Sequence, residues 1–166
     1  MDLHLRRIVI LVLALSATMV GCNHGGGVGP QLASEQKARQ IALDKAGLTS
    51  IDLTELTTAG PIYRFVIGED KQGNKIAVWI ENDVVYREKL ENGISRSEVL
   101  ELARTKGFDQ NAIVQLIYVP PVFKQKVLTF LNDSTSDVFW WIRTPDAEAS
   151  HQIFVNFYDG SIDFEK

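Results

Sequence analysis

Residues that could carry out chemistry are few in this chain, and its single cysteine, Cys22, is the first to consider. A disulfide requires a second cysteine, so this thiol has no partner for one within the chain. A metal site requires several converging ligands, and only His24 lies close to Cys22 in the sequence. The lack of further cysteines indicates a fold that depends on its apolar core and not on disulfides.

The remaining histidine and the carboxylates give no sign of an active site. His151 is the only histidine in the predicted folded part, and a lone histidine at a strand edge is typical of a solvated residue. Glu69 and Asp70 fall in a predicted hairpin turn, where we expect them to be solvated. Glu81 and Asp83 flank another turn, and two carboxylates make a poor site for a hard metal ion.

Short catalytic motifs are also missing from the sequence. There is no HExxH zinc motif, no CxxC pair, no phosphate-binding loop and no G-x-S-x-G nucleophile motif. The glycine-rich tract after Cys22 follows no predicted strand and opens no helix, so it is not a nucleotide loop. We therefore predict no enzyme activity, no catalytic residue, no metal ligand and no cofactor.

The N-terminus has the organisation of an export signal. Two arginines precede an apolar run over residues 8–20, which has the length of a signal-peptide core and is short of the roughly 20 residues that cross a bilayer. The run ends in Gly21-Cys22, and the segment resembles a bacterial lipoprotein signal, whose cysteine takes a diacylglyceryl group. We predict a lipoprotein-type signal peptide over residues 1–21 and lipid attachment at Cys22.

A flexible tether follows the predicted attachment point. Residues 22–32 are rich in glycine, which buries no apolar surface and loses much entropy when ordered. Two acyl chains hold a protein on a membrane, so we expect a lipid-anchored protein on the outer face of the cell membrane. An uncleaved signal anchor and a buried free thiol remain alternatives for the cysteine.

The charge of the chain excludes two classes of partner. The full sequence has a formal net charge of −4, and loss of residues 1–21 would remove two arginines and one aspartate. A negative chain without a basic patch does not suit nucleic acid. It also lacks the polybasic segment that would hold it on anionic lipid, which leaves the lipid as the expected membrane contact.

The rest of the chain repeats one order of elements, a helix followed by four strands. The sequence at 45–48 corresponds to that at 105–108, after each predicted helix. We predict an α+β fold of two tandem units, 33–92 and 93–166, each with one helix packed on an antiparallel sheet. Residues 120–134 are extra in the second unit and could form a strand or a rim loop. A single continuous domain is the alternative.

Both predicted helices carry start and stop signals. Ser34 is a plausible N-cap for the first helix, and Gly47 is a plausible end. In the second, Ser95 and Glu98 have the spacing of a capping box, in which each side chain satisfies a backbone amide of the other, and Gly107 ends the helix.

These pieces together resemble a known family. The first predicted hairpin contains 68–73 and its return strand contains 78–80, the second helix opens at 93–95, and the last turn is Asp159-Gly160. In order and spacing they resemble the YpmB/TseB-like cell-wall elongation regulators of Gram-positive bacteria. The resemblance covers roughly residues 60–166.

The resemblance implies tandem PepSY-like, cystatin-like α+β domains outside the membrane. It implies a role beside the peptidoglycan synthesis machinery, through contact with a penicillin-binding protein, and it transfers no catalytic residue. The family's usual anchor is a transmembrane helix, which a cysteine replaces here. The second hairpin turn, 144–150, also departs from the family pattern.

Tryptophans in predicted strands are the candidate partner-binding residues. Trp140 and Trp141 lie on opposite faces of one strand because side chains alternate, so both of its faces are apolar. Trp79 presents the same situation in the first unit. One face must meet the helix, and the other meets either the neighbouring unit or an outside partner. Large aromatics are favoured at interfaces, but burial of both faces is the alternative.

Two functions from different classes fit these observations. The first is a non-catalytic extracytoplasmic lipoprotein that binds and regulates a membrane-associated partner, with a penicillin-binding protein as the candidate. The alternative is a peptidase-inhibitor or propeptide-like PepSY module. That alternative needs a loop that enters a protease cleft, and residues 120–125, PPVFKQ, are the candidate loop.

Overall fold

The computed structural model describes residues 34–57, 59, 61–145 and 151–166. The predicted signal peptide, Cys22 and the tether lie outside the described residues. The helices and strands in chain order are α1 (Glu35–Asp44), β1 (Leu48–Thr57), β2 (Tyr63–Asp70), β3 (Lys75–Glu81), β4 (Val84–Lys89), α2 (Arg96–Thr105), β5 (Ile113–Tyr118), α3 (Pro121–Lys126), β6 (Val138–Arg143), β7 (Gln152–Asn156) and β8 (Ile162–Glu165). Short 3-10 turns occur at Leu90–Asn92 and Thr129–Leu131.

Each unit opens with one helix and forms a four-stranded antiparallel sheet, and the second unit has α3 inserted between β5 and β6. The strand order is β1-β2-β3-β4 in the first sheet and β5-β6-β7-β8 in the second. All neighbouring strands pair antiparallel. The predicted α+β fold of two tandem units is therefore confirmed.

Local signals in the sequence set the ends of both helices. The Ser34 side chain accepts a hydrogen bond from the Lys37 amide at the start of α1. At α2, the Glu98 amide donates to Ser95 Oγ at 3.3 Å, and the Ser95 amide donates to Glu98 Oε2 at 2.7 Å. This is the predicted capping box, and it satisfies amides that have no partner within the helix.

Helix α1 covers one face of the first sheet. Its buried residues are Ala38, Ile41 and Ala42. They pack in one apolar cluster against alternate residues of the central strands, namely Val66, Ile76, Val78 and Ile80. The period-2 alternation of β2 and β3 therefore leaves the opposite face of this sheet for other contacts.

The opposite face of the first sheet packs against the second unit. Phe65 and Trp79 of the first unit lie in one apolar cluster with Val99 of α2, Leu116 of β5 and Trp140 of β6. The Trp79 indole N–H donates to the Leu116 carbonyl oxygen at 3.2 Å. The two units therefore share this apolar cluster, in addition to the cluster that α1 forms within the first unit.

Residues 120–134 cover the remaining face of the second sheet. They form α3 and a 3-10 turn, so the strand considered for this segment does not form. Leu131 from this segment is buried in a cluster with Ile117, Phe139, Trp141 and Phe154. The extra residues of the second unit thus give its sheet an apolar cover that α2 cannot provide, because α2 lies on the other face.

A buried lysine fastens this cover. The Lys124 side chain is 8% exposed, and its ammonium forms an ion pair with Asp137 at 2.8 Å. It also donates to the carbonyl oxygens of Ser134 and Ser136 at 3.1 and 2.8 Å. One cation therefore holds α3 against the turn that leads into β6.

We expect Lys124→Met to lower the free energy of unfolding by about 1–3 kcal/mol, because two carbonyl oxygens and a carboxylate lose their donor. Amide hydrogen exchange should quicken most in residues 120–134. Chemical denaturation and exchange measured by NMR would test this. Lys126→Met, at an exposed neighbour, should change stability by no more than about 0.5 kcal/mol, and equal losses in both variants would contradict the fastening role.

Among the described residues, none of the helices has the length and apolar content needed to span a bilayer.

Candidate binding cleft between the two units

An open cleft of about 430 Å³ lies where the two units meet. We call it the inter-unit cleft, and its lining residues are Leu53, Glu55, Phe65, Ile67, Leu90, Ile94, Ser95, Arg96, Val114, Leu116 and Trp140. Its volume falls in the range of 300–1,000 Å³ that is usual for ligand pockets. The lining is mostly apolar and includes a single carboxylate, Glu55, and a single guanidinium, Arg96.

Strand pairing places one wall of the inter-unit cleft. Leu53 pairs with Ile67, and Glu55 pairs with Phe65, so β1 and β2 present these four side chains on one face. Simple alternation along β1 would place Ile51 on the same face as Leu53 and Glu55. A register shift between Ile51 and Leu53 changes this, and Ile51 packs with the α1 cluster instead.

The second unit provides the opposite wall and the floor. Val114 and Leu116 alternate onto one face of β5, and Leu116 pairs with Trp140 of β6. Trp140 is 6% exposed, and its indole N–H donates to the Ile94 carbonyl oxygen at 3.1 Å. This bond fixes the indole ring between the sheet and the start of α2. Leu53 is 40% exposed, which places it at the mouth of the cleft.

Glu55 is the unusual group in this apolar setting. Among the described residues, its carboxylate receives no hydrogen bond and has no ion-pair partner within 4.0 Å. Burial raises its pKa above the usual value, and the positive charge of Arg96 only partly opposes that shift. The carboxylate therefore stands partly desolvated at the cleft wall without a donor.

We expect Glu55→Gln to raise the free energy of unfolding at pH 7, by less than about 1 kcal/mol because solvent screens the group. A carboxylate with a raised folded pKa destabilises the fold once ionised. The difference between variant and parent should therefore vanish below about pH 4, the ordinary glutamate value, and appear as the pH rises through the raised folded pKa.

Denaturation of both proteins between pH 3 and pH 8 would measure this difference. Glu101→Gln, at an exposed position on α2, is the matched control and should show little change at any pH. A loss of stability in Glu55→Gln at neutral pH would contradict the assignment.

The three candidate tryptophans are all buried. Trp79 is 0% exposed and Trp141 is 8% exposed, and only Trp140 borders the inter-unit cleft. The Trp141 indole N–H donates to Gln152 Oε1 at 3.0 Å, and the Arg143 guanidinium lies 4.9 Å from the centre of its ring. This burial fits the alternative in which both faces of the strand are covered, and a direct partner contact by these side chains stays a prediction.

Sequence reasoning missed Glu55 as a site residue. The available signal was a carboxylate at a core-facing position of an alternating strand, with Leu53 two residues before it on the same face. The second wall came from a different unit, so no spacing in the sequence could join Glu55 to Leu116 or Trp140.

The other candidate polar residues have local structural roles. Asp70 is 7% exposed, so the expectation that it is solvated was wrong. Its carboxylate accepts hydrogen bonds from the amides of Gln72 and Asn74 at 2.9 and 3.0 Å and thereby shapes the hairpin turn. His151 stacks on Phe108 with ring centroids 4.1 Å apart. Within the described residues, no group of three or more potential metal ligands converges.

A smaller pocket of about 210 Å³ lies beside α3. Its walls include Pro61 and Tyr63 of the first unit, together with Val122 and Val127 of the second. The PPVFKQ segment, predicted as a candidate inhibitor loop, enters helix α3 here and is held by the buried Lys124. The segment therefore does not present the extended loop that entry into a protease cleft would need.

The comparisons with known proteins agree with this architecture. Residues 37–81, from within α1 to the end of β3, match the family model described as "Cell wall elongation regulator TseB-like domain". The solved structure of the YpmB protein from Bacillus subtilis has a similar fold, with a TM-score of 0.57 and 19% sequence identity. The alignment covers 80% of this chain and 95% of that one.

The predicted resemblance to the YpmB/TseB-like family is therefore confirmed. The resemblance predicted from sequence motifs began at about residue 60. The family match starts at residue 37, so it extends the resemblance to include most of α1. The curated proteins contain no match to this chain. The family match supports a regulatory role in cell wall synthesis, while the likeness to YpmB shows a shared fold.

Proposed function

We propose that this chain is a non-catalytic regulator of cell wall synthesis that binds a membrane-associated partner outside the cytoplasmic membrane. The family match over residues 37–81 supports the regulatory role. The observation that carries the binding role is the inter-unit cleft, an open and mostly apolar site in a body whose two units share one core. A penicillin-binding protein is the candidate partner.

The contents of the inter-unit cleft support binding over catalysis. Its hydroxyl group, Ser95 Oγ, accepts from the Glu98 amide and lies 2.8 Å from Ser97 Oγ. No described histidine or second carboxylate lines the cleft beside it. A nucleophile needs a neighbouring base for activation, so these residues suit recognition of a surface better than bond cleavage.

The predicted lipid at Cys22 would bring this binding module to its partner. If the predicted tether over residues 23–32 behaves as a glycine-rich random coil, it would span about 15–20 Å on average. Confinement in a thin layer at the membrane raises the effective concentration for a membrane-bound partner, so weak contacts can suffice. A lipid anchor therefore complements a cleft of modest size.

Cys22→Ser tests the anchor and the regulatory role together. We expect the wild-type protein to take up an alkyne-labelled fatty acid and to fractionate with membranes, and the variant to do neither. Cells that lack the protein should change in width or in sensitivity to drugs that target the wall. The wild-type gene should restore them, and Cys22→Ser should restore them poorly.

Two results would contradict the proposal. Equal fatty-acid labelling of Cys22→Ser and wild type would remove the anchor. Unchanged width and drug sensitivity in cells without the protein would remove the role in cell wall synthesis.

A further inference from the structure

We infer that the inter-unit cleft receives a lysine or arginine side chain of the partner protein, with its alkyl stem against the apolar walls and its charge paired with Glu55. This inference rests on the proposed function, because it specifies the chemistry of the partner at the same cleft. It gives Glu55 a role in binding, whereas the contacts within the fold give no reason for a carboxylate at this position.

The walls of the inter-unit cleft suit the stem of a long cationic side chain. Leu53, Phe65, Leu116 and Trp140 provide apolar surface from both units. Lysine and arginine place three or four methylene groups along such surface while the charge reaches a polar end. A volume of about 430 Å³ holds one such side chain with neighbouring residues of its segment.

The carboxylate supplies the matching charge. Glu55 is partly desolvated and has no donor among the described residues. The only positive group of the cleft lining is Arg96, which is exposed and forms no ion pair with Glu55 within 4.0 Å. An incoming ammonium or guanidinium group would provide the missing charge-assisted hydrogen bond, and would restore the solvation that Glu55 loses in the fold.

The occupant is expected to come from another molecule. Outside the described residues, the only lysine or arginine residues are Arg6 and Arg7, which lie in the predicted signal peptide. The tether contains neither residue type, and 146–150 reads Asp-Ala-Glu-Ala-Ser. The net charge of −4 also favours approach of a basic surface over an acidic one.

Matched peptides test the inference on the full chain carrying Cys22→Ser. The probes are acetyl-Leu-Gly-Xaa-Gly-Leu-amide with lysine, arginine, norleucine or glutamate at Xaa, followed by NMR of the ¹⁵N-labelled protein. We expect saturable shifts at Leu53, Glu55 and Leu116 with the lysine and arginine peptides. Norleucine keeps the stem without the charge and should bind about tenfold more weakly.

Glu55→Gln should lower the affinity for the lysine peptide by about tenfold, to the affinity of the parent protein for the norleucine peptide. Glu101→Gln removes the same charge from an exposed helix position and should leave the affinity unchanged. Glu55→Gln is expected to fold at least as well as the parent, so loss of binding would not reflect unfolding. Its amide spectrum gives a direct check of that.

Several results would overturn the inference. These are equal binding of the norleucine and lysine peptides, lysine binding that Glu55→Gln does not weaken, and shifts confined to the pocket beside α3. Self-association that requires Glu55, measured by sedimentation, would assign the cleft to a second copy of this chain and would also overturn it.

Complementation in cells separates this inference from the proposed function. Glu55→Gln should remain at the membrane and fail to restore cells that lack the protein. If Glu55→Gln restores them fully while Cys22→Ser does not, the cationic occupant is wrong and the regulatory role stands. If cells without the protein are normal, the proposed function fails, whatever the peptides show.

Discussion

Trp79→Ala is expected to lower the free energy of unfolding by about 3–5 kcal/mol, because it empties a large fully buried site. The side chain is 0% exposed and lies in the core that both units share. Its ring packs on Phe65 and Tyr118, with centroids 5.4 and 6.1 Å away. The substitution also removes the N–H that the Leu116 carbonyl oxygen accepts at 3.2 Å.

The same variant tests whether the two units are one cooperative body. Amides of both sheets should lose protection together in hydrogen exchange, since Trp79 of the first unit bonds to a strand of the second. Trp79→Phe keeps much of the volume without the N–H and should cost less than Trp79→Ala. Loss of protection in the first sheet alone would contradict a shared core.

Gly93→Ala is expected to cost about 3 kcal/mol or more, at the upper end of the range for overpacking. A Cβ at Gly93 would lie 2.3 Å from the Phe157 carbonyl oxygen and 2.6 Å from its ring. The backbone there is extended, with φ −141°, so available space and not the dihedral angle excludes a side chain. The neighbouring Ile94 amide donates to the same Phe157 carbonyl oxygen at 2.8 Å. This hydrogen bond limits how far the oxygen can move away from a new side chain.

Gly107→Ala is the matched control, because this position opposes alanine through backbone conformation and not through lack of space. Gly107 has φ +83°, and a Cβ there would meet no heavy atom within 4 Å. Only the left-handed backbone opposes alanine, at a cost of about 1–2 kcal/mol. Chemical denaturation would measure the free energy of unfolding of both variants. Equal losses of stability would contradict the close contact between Gly93 and Phe157, which follows β7.

Sequence patterns predicted the parts of this fold that local interactions determine. The capping box of Ser95 and Glu98 depends on residues three positions apart, and the structure contains it. Strand alternation placed Trp140 and Trp141 on opposite faces, as observed in clusters on the two sides of the second sheet. The same short-range signals predicted the opening helix and the four strands of each unit, but not α3 between β5 and β6.

What covers each sheet face could not be predicted from the sequence. The cover on Trp141 comes from residues 120–134, whose helix is short and whose Lys124 is buried only because Ser134, Ser136 and Asp137 surround its ammonium group. These contacts require the chain to fold back on itself. For residues 120–134 the sequence left a strand or a rim loop open, and it did not predict the short helix.

The candidate site was harder to predict than the fold. The inter-unit cleft takes its walls from β1 and β2 of one unit and from β5 and β6 of the other. Its floor is Trp140, whose position depends on a hydrogen bond to Ile94. No local sequence pattern predicts how the two units pack together. Glu55 therefore could not be distinguished from other polar strand residues.

Photocrosslinking in intact cells tests the central claim, that the inter-unit cleft binds a partner in cell wall synthesis. A photoreactive amino acid would replace Leu53 at the mouth of the cleft or, as control, Val84, which is 52% exposed on β4 at the opposite edge of the first sheet. We predict capture of a membrane-associated wall-synthesis protein from position 53, reduced by Glu55→Gln, and none from position 84. Capture of that protein equally from both positions, or from neither with the chain at normal levels, would contradict the account.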